Sequence, residues 1–246
     1  MKHFTLEYDW LRPILPEGIS VPSSTIISGP GGSGKPLIAG MFLASWLKQD
    51  SSLIYLLINS GREYAEKVFA SCGVDGSTYK DRIVYIDFDP QAEGIAEDKG
   101  DYLKANLLKP DIWAEAVQKA EERLAEKGRP AILAGAALNI LFFSPTYGGP
   151  IYQTIYNTVK GNKNCMFSVS NNVFQDRMER LESAAANLMF THSEKVMELH
   201  LEIARMKGVE FSKRDIVVPL DEEKLIHMRS EADRIRKHLI PMIRKI

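Results

Sequence analysis

Gly29 to Pro36 reads GPGGSGKP, and this stretch limits the fold of the chain more tightly than any other. It follows the apolar run Ser24-Thr25-Ile26-Ile27-Ser28 and precedes Leu37, Ile38, Met41 and Phe42, so a strand is expected to turn into a helix across it. That is the context of a phosphate-binding loop, and the pattern G-x-x-x-x-G-K is complete from Gly29 to Lys35. Gly29, Gly31, Gly32 and Gly34 let successive amides turn inward toward phosphate oxygens, and the helix N-terminus adds its partial positive charge. Lys35 then reaches the terminal phosphates. The expected binding set is Gly29, Gly31, Gly32, Ser33, Gly34, Lys35 and Pro36; the competing reading is a glycine-rich strand-to-helix turn.

The last of these residues breaks the pattern. Where the motif places Ser or Thr, this chain has Pro36, which removes the hydroxyl that would sit on magnesium and one backbone N–H of the anion cradle. The first turn of a helix does not use its N–H groups internally, so the helix tolerates proline there. Phosphate chemistry is what suffers: a lost hydrogen bond to a charged group costs about 1.5–3 kcal/mol, roughly ten- to a hundredfold in affinity.

With 246 residues, 45% of them hydrophobic and 26% charged, the chain has the make-up of an ordinary globular protein, and one domain is the simplest reading. A formal net charge of −1 gives no global signal for nucleic acid or membrane. No segment approaches the roughly 18 apolar residues of a membrane span, and a cytoplasmic location is expected. Cys72 and Cys165 lie far apart without metal-ligand spacing and read as buried free thiols. The five histidines are scattered in sequence, so no metal site is expected from them.

Residues 1–22, punctuated by Pro13, Pro16, Gly18 and Pro22, read as an irregular lead-in packed on the domain. Helices are expected over Pro36 to Lys48, Gly61 to Ser71, Asp111 to Glu126, Ile151 to Lys160 and Met178 to Met189. Strands are expected over Leu53 to Ile58, Ile83 to Phe88, Pro130 to Ala136 and Cys165 to Ser170. Their alternation predicts an α/β domain with a mostly parallel sheet flanked by helices. Val196 to Ala204 alternates like a half-exposed strand, and Arg214 to Leu220 is expected to pair with it antiparallel. Residues 90–110 read as a long polar loop, and Phe142 to Pro150 as a loop.

The expected domain runs from residue 1 to 220, with an amphipathic helix over 221–246. Leu225, Met228, Ala232, Ile235, Leu239, Met242 and Ile246 form a stripe spaced three and four apart. This helix either lies on its own domain or contacts a protein partner, with Arg229, Arg234, Arg236, Lys237 and Lys245 facing an anionic surface.

With these elements in place the chain resembles the RecA superfamily, and within it the KaiC-like branch, from about residue 14 to 220. LPEGISVPSSTIISGPGGSGKP looks like the approach to that family's phosphate loop, and LIYLLINSGREYAEKVFASCGVD like its second strand and helix. Arg205 to Gly208, RMKG, resembles the K-x-R-G element with its two basic types exchanged. The resemblance implies binding of ATP or ADP, a homo-oligomeric and hexameric ring, and contact of Arg205 and Lys207 with the terminal phosphate of a neighbouring subunit's nucleotide. For RMKG a strand end with solvated charges is the alternative. Asn171 matches the place of a phosphate sensor, as does Asn172, and both read equally as turn residues.

The family's catalytic parts are missing. Its water-activating acids correspond to Asn59 and Ser60, neither a general base near neutral pH. The aspartate that holds magnesium corresponds to Ala134 or Gly135 within AILAGAA. With Pro36, three contributors to metal binding and water activation are absent, which leaves the part played by magnesium open. The expected function is therefore ATP binding with little or no hydrolysis, acting through assembly or regulation. One alternative is a magnesium-dependent ATPase with displaced carboxylates, for which Glu63, Asp87 and Asp89 are the candidates. A second is a DNA-interacting recombinase-like protein, which the near-neutral charge disfavours.

Overall fold

The computed structural model describes residues 2–97, 100–126, 128–161, 163–193, 198–219, 237 and 239–246. Its centre is set by two strands that are buried along their whole length, β3 (Ser24–Gly29) and β4 (Ser52–Leu57). Alternate residues of β4 point into two separate cores: Leu53, Tyr55 and Leu57 into one, Ile54 and Leu56 into the other. An uninterrupted apolar run is what a sheet covered on both faces requires.

The helix α1 (Lys35–Lys48) follows β3, and α2 (Arg62–Ser71) follows β4; together they cover the first face. Then come β5 (Ile83–Phe88), β6 (Ile95–Glu97), β7 (Tyr102–Ala105) and α3 (Pro110–Ala125). The strand β8 (Ala131–Gly135), α4 (Gly148–Lys160), β9 (Cys165–Ser170) and α5 (Gln175–Ala184) follow. The chain returns through β10 (Asn187–His192), β11 (His200–Arg205) and β12 (Ile216–Val217). The helices α3, α4 and α5 cover the second face, where residues 239–243 are also helical and bury Leu239 and Ile243. The stripe positions Leu225, Met228, Ala232 and Ile235, with Arg229, Arg234 and Arg236, lie outside the described residues.

Ten strands form one sheet in the order β12-β11-β10-β3-β9-β8-β4-β5-β7-β6. The run from β10 to β7 is parallel, and the antiparallel β11 and β12 extend it as expected. The expected start of this strand pair, Val196 and Met197, and its end, Leu220, fall outside the described residues. The lead-in packs on α1, with Leu11, Ile14 and Leu15 buried and Phe4 edge-on to Trp46 at 5.2 Å. It also carries a small ladder between β1 (Lys2–Phe4) and β2 (Ile19–Val21). Both cysteines are buried thiols, and burial pushes the Cys165 thiol up to about 12.

Three expectations are corrected. The helix expected over Met178 to Met189 stops at Ala184, and Asn187–His192 is instead a central strand beside β3. Met178, Leu181, Leu188 and Met189 are all buried, but in two different elements, so their spacing mimics one helix. Asn187 fixes the change: its side-chain amide donates to Ser23 Oγ and Thr25 Oγ1 and its oxygen accepts from the Lys207 amide. Residues 90–110 carry β6 and β7 rather than a continuous loop. Only Leu103 and Ala105 of β7 alternate inward, a pattern too short to stand out. Part of the loop expected over Phe142 to Pro150 is ordered as the end of a 3-10 helix, Leu138–Phe143, and the start of α4.

Candidate phosphate-binding site

The loop between β3 and α1 sits at the carboxyl edge of the parallel strands, where open α/β sheets place their ligands. Gly32 and Gly34 take positive φ values of 78° and 68°, as the inward turn of the amides requires. Among the described residues the amides of Gly31, Gly32 and Gly34 find no acceptor within the protein, so they remain available to an anion. Pro36 stands in the first turn of α1 without breaking it.

Lys35 is buried, and its ammonium turns back on the loop. Nζ donates to the Gly29 carbonyl at 2.9 Å, to the Pro30 carbonyl at 2.6 Å and to Ser33 Oγ at 3.2 Å. These neutral acceptors hold the charge where phosphate oxygens would replace them. The loop is also tied to the neighbouring strands. Ser33 Oγ and Thr191 Oγ1 of β10 are 2.7 Å apart, Leu199 lies against Gly34, and the Asn171 amide donates to the Gly29 carbonyl at 3.2 Å. Asn171, half-buried just after β9, is thus brought to the loop.

The positions that the resemblance matches to metal-holding and water-activating residues lie along the same edge. Asn59 and Ser60 follow β4 and are buried, and Ala134 and Gly135 end β8. None carries a carboxylate, and Pro36 carries no hydroxyl, so these residues do not fit a magnesium ion.

The weaker candidates are engaged elsewhere. Glu63 is exposed in the first turn of α2 and pairs with Lys67 at 2.8 Å, which lowers its pKa. Asp87 accepts a hydrogen bond from the Tyr102 hydroxyl, and Asp89 pairs with Lys104 at 3.0 Å. Asp87 lies in β5 and Asp89 just after it, four strands from β3, or about 19 Å at ~4.8 Å per strand. Arg205 caps α5: Nε and Nη2 donate to the Ala185 carbonyl at 3.2 and 2.8 Å, and Nη2 also to the Glu182 carbonyl. Lys207 is exposed. A carboxylate that the sequence did not point to reaches the loop strand, where Glu182 Oε1 accepts from Ser28 Oγ at 2.6 Å.

Asp87 provides a pH test. Burial raises its pKa, outweighing the Tyr102 hydroxyl and the Lys104 ammonium, which lower it. A carboxyl raised in the folded state contributes stability that is fully present below its unfolded pKa and lost as pH rises through its folded value. Asp87→Asn is therefore expected to gain melting temperature relative to wild type as pH rises from below about 3.9 toward neutrality. A constant difference across that range would show that burial does not govern this group.

No protein-family model and no curated protein matches the sequence. Solved structures do match the fold. A KaiC-like protein from the hyperthermophilic archaeon Pyrococcus horikoshii OT3 superposes with a TM-score of 0.68 at 10% identity, over 90% of this chain and 96% of that one. This chain shares that α/β fold, a mostly parallel sheet flanked by helices. The flagellar accessory protein FlaH from Methanocaldococcus jannaschii superposes with a TM-score of 0.62 at 14% identity, over 89% of this chain and 94% of that one. Both likenesses extend over nearly the whole of this chain, so they describe the entire fold rather than one segment of it. Among the described residues no helix is long and apolar enough to cross a membrane.

Proposed function

We propose that the protein is a RecA/KaiC-like nucleotide-binding protein that holds ATP or ADP at Gly29–Pro36, hydrolyses it weakly or not at all, and acts through assembly or regulation in the cytoplasm. The observation that carries this reading is a complete glycine–lysine loop beside Pro36, Asn59, Ser60, Ala134 and Gly135, where metal-holding and water-activating groups would stand. Bound phosphate would take the loop amides and the Lys35 ammonium, with Asn171 beside them. Two of the carboxylates that would rescue hydrolysis, Asp87 and Asp89, lie toward the far side of the sheet, and Glu63 is paired in solvent.

A homo-oligomer is part of this proposal, with Lys207 exposed at the surface to meet a neighbouring subunit's nucleotide. Arg205 would have to leave the end of α5 to do the same, so the exposed lysine is the better placed of the two. Of the segment from 221 onward, residues 239–243 belong to the same unit, with Leu239 and Ile243 buried in its core.

The test is phosphate release at saturating ATP and magnesium. Release at background is expected. Turnover that disappears in Lys35→Ala would contradict the proposal and put an active ATPase in its place.

A further inference from the structure

The β10–β11 hairpin gathers a group of side chains that the sequence keeps apart. His192 ends β10 and His200 begins β11, and the two are directly opposed in the antiparallel ladder. Their rings stack at 4.8 Å between centroids with 21° between planes. Asp215, just before β12, closes the group: its Oδ2 lies 2.9 Å from His200 Nδ1 and 3.3 Å from His192 Nε2. One donor atom from each of the three residues lies within 4.8 Å of the other two.

We propose that His192, His200 and Asp215 form a binding site for one transition-metal ion of the zinc class. Two imidazoles and one carboxylate, with a fourth position left to water, are a donor set that zinc accepts and that magnesium and calcium, which prefer all-oxygen ligands, do not. An ion with bonds of ~2.0–2.1 Å spaces tetrahedral donors about 3.3–3.5 Å apart. Asp215 Oδ2 already stands 2.9 and 3.3 Å from the two ring nitrogens, and the rings need to bring their own donors from within 4.8 Å to that spacing. His192 and Asp215 are each more than one-third exposed, which gives the ion a way in from solvent.

An unpartnered nitrogen points the same way. His200 is 8% exposed, and its Nε2 is fully buried with no hydrogen-bond partner among the described residues. While Nδ1–H donates to Asp215, Nε2 is left as a buried lone pair, a costly arrangement. Ligation of a metal through Nδ1 moves the imidazole proton to Nε2. There it faces Glu198 Oε1, 3.7 Å away and just beyond hydrogen-bond reach. A small closure then makes the carboxylate–histidine–metal relay that orients ligating imidazoles. The ion would stand apart from the β3–α1 loop yet brace it, because the adjoining residues Thr191 and Leu199 are the ones that lie against Ser33 and Gly34.

The test uses the full chain without a histidine tag, stripped with chelator and titrated with Co2+ followed by visible absorption, then with Zn2+ by equilibrium dialysis and elemental analysis. About one equivalent of zinc is expected, with a cobalt d–d band that zinc displaces and excess magnesium does not. His192→Gln, on the half-exposed ring, is expected to weaken zinc by at least about tenfold and to abolish the band. His200→Gln is expected to do the same, with circular dichroism as the control for folding at this buried position. Failure of the wild-type chain to take up zinc overturns the site, as does uptake that His192→Gln leaves unchanged.

Discussion

Lys35→Ala is expected to weaken ATP binding by on the order of a hundredfold or more while leaving the fold intact. Each charge-assisted hydrogen bond from an ammonium to phosphate contributes about 1.5–3 kcal/mol, and a lysine at this place makes more than one. The loss should not unfold the loop, because the carbonyls that Lys35 now satisfies keep other donors. The Gly29 carbonyl accepts the Asn171 amide at 3.2 Å, and the Pro30 carbonyl accepts the Ser33 amide at 3.3 Å. Neither carbonyl is orphaned, and alanine suits a first helical turn at least as well as lysine. Isothermal titration of both proteins beside their thermal melts measures the two effects separately. An affinity equal to wild type would mean that nucleotide, if bound, does not use this loop.

Gly29→Ala is expected to be among the most destabilising single substitutions in the chain. Its backbone lies so close to β10 that an added Cβ would sit 2.2 Å from the Thr191 carbonyl oxygen, 2.7 Å from Thr191 Oγ1 and 2.9 Å from Ser33 Oγ. The first of these is backbone and is held by the pairing of β10 with β3, through Phe190 opposite Ser28. Relief requires separating two central strands, so the cost should reach or exceed the upper end of the about 1–3 kcal/mol typical of overpacking. Gly32→Ala is the control. Its Cβ would meet nothing within 4 Å, and only its φ of 78° is strained, a cost of about 1–2 kcal/mol. Chemical denaturation ranks the pair, and equal losses would show that the contact with Thr191 yields easily.

These two substitutions also show how much of the molecule is legible in the sequence. The loop can be read because its information is local: glycines, a lysine and their flanking apolar runs are contiguous, and the strand before and helix after are short-range consequences. The parallel core is legible for the same reason, since runs such as Leu53 to Leu57 allow little but a strand buried on both faces. What Gly29 touches is not legible, because Thr191 lies 162 positions away on a strand whose first residues continue the apparent periodicity of a helix. With that strand hidden, the histidines could not be paired. His192 and His200 have no ligand spacing along the chain and meet only through the register of an antiparallel ladder. Arg205 is a similar case: the resemblance of RMKG implies a phosphate contact, and only the register opposite Leu188 shows that its guanidinium lies on the open end of α5.

The measurement that bears most directly on the central claim is an equilibrium titration of the protein with ATP, once in excess magnesium and once in excess chelator. Pro36 brings no hydroxyl, and Ala134 and Gly135 bring no carboxylate, to the places where magnesium would be held. The dissociation constant is expected to agree within about threefold between the two conditions, under 1 kcal/mol. Tightening by about a hundredfold in magnesium, close to 3 kcal/mol, would require a metal-holding group at the loop and would contradict the account.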